Sequence, residues 1–328
     1  MLRARKHNRR AGVSTAILGL LALTTASCGT SSSTSTSTAA PTSTQAPATT
    51  QPGTPTTTPT VGVAVYFTKD THLYPVLRQP KYTIAVATAA MKELLGGPSP
   101  RETALGLSSS VPTGTTLLGV SIANGTATVN LSSTFESGGG STSMMLRLAQ
   151  VTYTLTQFPT VQRVVFELEG TAVTVFGGEG IILDHPSTRA AFYNSALAPI
   201  FVDRPPAFST ISSPIITSGL ANVFEGQFKI QLLDANGHVV YDGSATGMMG
   251  GWGPWSATIP YSVKTAGAVT LRVFDLSAKD GSVIDLVDVP LTAQVGAKRT
   301  PSRTGRQAGQ GSRLNQEGGQ PIGLSPFS

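Results

Sequence analysis

Asn124-Gly125-Thr126-Ala127-Thr128-Val129-Asn130-Leu131 decides the fold of the first half of this chain. Asn-Gly supplies the positive φ angles of a tight hairpin turn. Strand-like runs flank it, residues 117–122 before and 126–131 after. Upstream, Ile84, Ala87, Met91 and Leu94 recur at helical spacing over residues 83–95. Thr83 is placed to cap that helix, and Gly96-Gly97-Pro98 ends it. Downstream, Gly138-Gly139-Gly140 breaks the chain before a second helical face of Met144, Leu148, Val151, Leu155 and Phe158. Ser141 or Ser143 is placed to cap this helix, and Pro159 stops it. A further hairpin joins residues 161–168 to 171–176 through Glu169-Gly170, and residues 61–67 read as a buried strand. The order is β-α-β-β-α-β-β, an α+β domain over residues 61–200 with its helices packed on one sheet.

Pro205-Pro206 marks a boundary, because two prolines disfavour helix and stiffen a linker. Beyond it, residues 205–295 hold six strand-like runs, with turn signals at Asn236-Gly237 and Asp280-Gly281. Short strands at regular spacing with almost no helix predict an all-β, immunoglobulin-like sandwich. It has no cysteine pair, so its core alone must hold it.

The ends of the chain are of a different kind. Residues 1–28 have five basic residues up to Arg10, an eight-residue apolar run from Ala16 to Leu23, and then Cys28, the single cysteine. That apolar run suits a signal peptide and is short for a membrane-spanning helix. Thr25-Ala26-Ser27-Cys28 resembles the bacterial lipobox, with Thr25 where Leu is usual. The resemblance implies cleavage before Cys28, lipidation of its thiol and an exported protein anchored at the outer face of the cell membrane. Residues 29–60 follow with nineteen Ser or Thr, five Pro and no charge, which predicts a disordered tether. As a flexible coil it spans about 30 Å. Residues 296–328 read as a disordered basic tail.

This partition changes the reading of charge. The whole chain is +6; the leader carries five positive charges and the tail a net four, which leaves −3 for the middle. Nucleic acid is thereby excluded as a partner of the folded part.

Candidate chemistry is sparse. His7, His72, His185 and His238 lack metal-ligand spacing, and His185 follows Asp184 directly. Glu167 and Glu169 lie two apart, the spacing of a carboxylate pair on one strand face, but they run into a turn. The glycine-rich stretches lack phosphate-loop or dinucleotide spacing, and no serine sits in a nucleophile elbow. No cofactor or metal site is expected. The best binding candidate is Met248-Met249-Gly250-Gly251-Trp252-Gly253-Pro254-Trp255, which gathers both tryptophans. Flat rings on a Gly/Pro loop suit a sugar or peptide surface. The competing expectation is that one or both rings cap the sandwich core, with Trp252 the more exposed. Glu225 is expected to be buried and structural.

Three blocks in the first half occur in a recognisable order: residues 90–98, residues 124–131, and Phe158-Pro159-Thr160-Val161. Together with the element order they resemble the GerMN domain, named from spore-germination proteins. Residues 219–226, 251–255 and 277–282 resemble the immunoglobulin-like domain associated with bacterial sporulation and germination proteins. The pair implies no catalytic residues. The expectation is a non-enzymatic envelope lipoprotein that binds or scaffolds peptidoglycan or an envelope protein. The rivals are a glycan- or peptidoglycan-acting enzyme using Glu167 or Glu93 as its acid, and an accessory subunit of an envelope sensor complex.

Overall fold

The computed structural model describes residues 58–295. Cys28, the residues before it, residues 29–57 and the tail from residue 296 lie outside them.

The chain enters through an antiparallel hairpin, β1 (Val63–Lys69) and β2 (His72–Arg78). The second strand is absent from the expected order, because Pro75 and polar ends hide it. Pro75 is tolerated because its face of the strand asks only for an acceptor: its carbonyl takes the Ala207 N–H at 2.9 Å. Helix α1 (Val86–Leu95) starts three residues later than the apolar spacing predicts. Thr83 does not cap it. Its Oγ1 accepts from the Ala85 N–H, and Ile84 is left 93% exposed outside the helix. A short helix α2 (Pro100–Ala104) follows, with Glu102 buried.

The Asn-Gly turn forms as expected, with φ of 49° at Asn124 and 75° at Gly125. It joins β3 (Leu117–Ala123) to β4 (Thr126–Leu131). After α3 (Ser141–Leu155), β5 (Arg163–Leu168) pairs parallel to β4, and β6 (Thr171–Ala172) closes the four-stranded sheet in the order β3-β4-β5-β6. The expected face of α3 is buried at Met144, Leu148, Val151 and Leu155, and Phe158 is half-buried just beyond it. Gly140, not a serine, precedes the helix; Ser141 donates instead to Glu179 and Ser143 accepts from Arg147. Arg147 is 2% exposed, and its guanidinium donates to the Phe135, Ser137 and Gly138 carbonyls. It satisfies backbone acceptors that a tight loop would otherwise bury unpaired.

A two-stranded ribbon, β7 (Val175–Phe176) with β8 (Ile181–Ile182), and a helical turn α4 (Tyr193–Ala196) lead to the strand-rich half. Here β9 (Ile200–Arg204) lies between the two segments read from sequence. It pairs with β11 (Ile215–Ala221), which pairs with β14 (Gly253–Ile259). The facing sheet has the order β10 (Thr210–Ile211), β16 (Val283–Ala293), β15 (Gly267–Leu276), β12 (Gln227–Asp234), β13 (Val239–Thr246). The β9–β11 ladder shifts register at Gly219, where a Cβ would stand 1.8 Å from the Phe201 carbonyl oxygen. Only glycine permits that approach.

One buried apolar cluster runs through both halves. Tyr153 of α3 meets Phe201 of β9 edge to face at 5.8 Å. The architecture is therefore a mixed α+β region followed by a two-sheet, immunoglobulin-like region, sharing a continuous core.

Candidate binding surface

The loop that gathers both tryptophans divides them. Trp255 is the third residue of β14, its indole turned inward, 3% exposed and edge to face with Phe228 of the opposite sheet at 5.2 Å. Its Nε1–H donates to the Phe201 carbonyl at 3.3 Å. Trp255 is thus a core ring, which corrects its reading as a ligand residue: strand alternation from Gly253 points odd positions inward.

Trp252 precedes the strand and stays half-buried. Its Nε1–H donates to Asn194 Oδ1 at 2.7 Å, and its ring lies 5.8 Å from that of Tyr193. The helical turn α4 therefore holds Trp252 in one orientation while leaving part of the ring open. Around it stand large apolar side chains that the fold does not cover: Met248 is 54% exposed, Met249 75% and Phe224 84%. They sit on abutting loops. Gly247 N–H donates to the Gly226 carbonyl at 2.7 Å, and a Cβ on Gly226 would meet the Met249 amide nitrogen at 3.3 Å. Met248 closes against Gly253, where a Cβ would overlap its own Cβ. Phe224 was not singled out as a surface ring in the sequence. Its signal is a large aromatic in a tight Asn222-to-Gly226 turn, where a core residue has nowhere to point. Glu225 beside it is exposed, not buried as expected.

The candidate acids and histidines do not assemble. Glu93 is held by Arg78 at 3.0 Å. Glu169 turns the β5–β6 hairpin with φ of 49° and accepts from the Ser133 N–H at 2.9 Å, so it does not pair with Glu167. Asp184 and His185 lie on a bend, not a strand, and their side chains bond to each other at 2.7 Å in solvent. That hydrogen bond holds the Asp184 carboxyl below its ordinary range. Among the described residues no group of three or more His, Cys, Asp or Glu could hold a metal ion.

The most heavily bonded polar cluster joins the two halves. Asp203 of β9 accepts from Tyr66 Oη at 2.6 Å and from Arg189 Nη1 at 3.0 Å. Arg189 also donates to Tyr66 Oη and Thr156 Oγ1, and its guanidinium lies 4.5 Å from the centre of the Tyr153 ring. Burial, then the Asp203 charge, pushes the Tyr66 phenol far up, so it stays a neutral donor. The Tyr66 contacts to Asp203 and Arg189 span well over a hundred residues and have no local sequence signal.

Comparison with known families follows the same division. Residues 64–174 match the Germane family, described as sporulation and spore germination. Residues 199–282 match the Gmad2 family, the immunoglobulin-like domain of bacterial spore germination. Among solved structures, the tandem GerMN domains of the sporulation protein GerM from Bacillus subtilis are similar at 16% identity and a TM-score of 0.36, covering 62% of this chain and 63% of that one. The first GerMN domain of the same protein is similar at 23% identity and a TM-score of 0.32, covering 40% of this chain and 98% of that one. A putative lipoprotein from Clostridium perfringens gives 22% identity and a TM-score of 0.31, covering 42% and 93%. No curated protein matches the chain.

Proposed function

We propose that this chain, a Germane domain followed by a Gmad2 immunoglobulin-like domain, is a non-enzymatic envelope lipoprotein that docks a protein partner through the Trp252 loop. The observation that carries the reading is the group of exposed Phe224, Met248 and Met249 on abutting loops beside the half-buried Trp252. Exposed aromatic and methionine side chains grouped in one place mark protein interfaces, where the flexible thioether repacks against varied surfaces. The Asn194 and Tyr193 contacts hold Trp252 ready, so less side-chain freedom is lost on binding. Methionine offers a glycan no hydrogen bond, which favours a protein partner over peptidoglycan. Cys28, outside the described residues, supplies the anchor in this reading.

The test is crosslinking in intact membranes with the wild-type chain, Trp252→Ala and Cys28→Ala. One dominant protein adduct is expected from the wild type, and its yield should fall several-fold in Trp252→Ala, the cost of losing an interface aromatic. Cys28→Ala should lose lipid label and leave the membrane fraction. Recovery of wall glycan instead of protein, or an adduct unchanged by Trp252→Ala, would sink the docking role.

A further inference from the structure

The cleft between the β1–β2 turn, the start of β9 and the bulged part of β16 has a volume of about 240 Å³ and belongs to none of the surfaces described above. Its floor is apolar and closed: Leu73, Phe201, Val202 and Val289 are all buried. Its rim is polar. On one side His72 and Lys69 come from the hairpin; on the other Asp285 comes from β16. An apolar floor under a few convergent polar groups is the usual composition of a small-molecule site.

Asp285 is there by construction. The β15–β16 ladder pairs Val273 with Val287 and then Asp275 with Ile284, so Asp285 and Leu286 bulge out of register. Asp285 sits at φ 51°, a left-handed conformation seldom taken by a residue other than glycine, asparagine or aspartate. Bulges re-aim side chains and cluster beside functional sites. Its carboxylate has no hydrogen bond or ion pair among the described residues. The other carboxylates are engaged or remote from the floor: Asp288 is bound twice by Arg272, at 2.8 Å each, and Asp70 lies exposed on the turn. Burial and then the neighbouring Asp275 charge push the Asp285 carboxyl up, while His72 pulls it back. An ammonium group bonded to the Asp285 carboxylate would offset that burial and the Asp275 repulsion. A single free carboxylate is too small a donor set for a metal ion. It suits one ammonium group.

We propose that this cleft binds a small primary amine carrying an apolar body, with Asp285 accepting from the ammonium and the floor burying the apolar part. The site is independent of the protein-docking loop.

Phenethylamine is a suitable probe, titrated by calorimetry at pH 8 into the purified full-length chain, with 3-phenylpropanoate as the anion of matching shape. Saturable binding of the amine alone is expected. Asp285→Asn should weaken it at least about tenfold, the loss of one hydrogen bond to a charged group. Asparagine accepts the left-handed backbone, so this variant keeps the bulge. Leu286→Ser, which removes apolar wall, should weaken it several-fold. Absence of saturable amine binding, equal binding by Asp285→Asn, or equal binding of the anion would each overturn the proposal.

Discussion

Replacing Asp203 with alanine should loosen the joint between the two halves of the protein. Asp203 accepts two short hydrogen bonds, from Tyr66 Oη and Arg189 Nη1. Bonds to a charged group contribute about 1.5–3 kcal/mol each, so the gross loss is about 3–6 kcal/mol. The side chains of Arg189 and Asp203 are 24% and 20% exposed, and water would partly replace the lost acceptor. Arg189 also keeps Thr156, the Tyr153 carbonyl and the face of the Tyr153 ring. These terms bring the expected net loss to about 2–3 kcal/mol. Urea unfolding read by tryptophan fluorescence suits the measurement, because Trp255 donates to the carbonyl of Phe201 two residues before Asp203. Arg189→Met and the double variant complete a cycle. The double variant should cost less than the sum of the singles by about 1–2 kcal/mol, since each single strands the other's partner. A loss below about 1 kcal/mol for Asp203→Ala, or strict additivity, would refute the claim that this ion pair couples the halves.

Two further outcomes follow from single contacts. Glu102 is buried; burial pushes its carboxyl up, but hydrogen bonds from Arg78 and Ser99 outweigh this and hold it below its ordinary value. Its contribution is thus present above the unfolded-state value of about 4.3 and is lost as pH falls through the folded-state value. Glu102→Gln should therefore lower stability at pH 7 and flatten the acid limb of a stability–pH profile, and an acid limb as steep as the wild type's would count against the assignment. Gly219→Ala places a methyl 1.8 Å from the Phe201 carbonyl oxygen, a backbone atom that cannot rotate away. A loss of about 3 kcal/mol or more is expected, with the β9–β11 amides losing hydrogen-exchange protection first; retained protection there would show that the ladder can part without cost.

What could be read from the sequence divides along the range of the interactions. The Asn124-Gly125 turn, the apolar face of α3 and most strands of the second half were legible because each is decided within a few residues. Strand β2 was not, although it is local and pairs with β1 across the Asp70-Thr71 turn, because Pro75 and polar ends break its strand pattern. The start of α1 was misplaced as well. Ile84 matches the helical period but is left in solvent, since nothing in the described fold closes over it. The tryptophans show the same limit. Sequence grouped Trp252 and Trp255 in one loop, but the strand that starts between them sends one ring into the core and leaves the other to α4. The Trp252 surface was therefore half legible, and the Asp285 cleft not at all, since its walls come from residues near 70, 200 and 287. The cleft exists only because β9 and β16 pack beside the β1–β2 hairpin. A ligand there would touch both family segments at once, and its binding energy would add to the Asp203 clamp in holding them together.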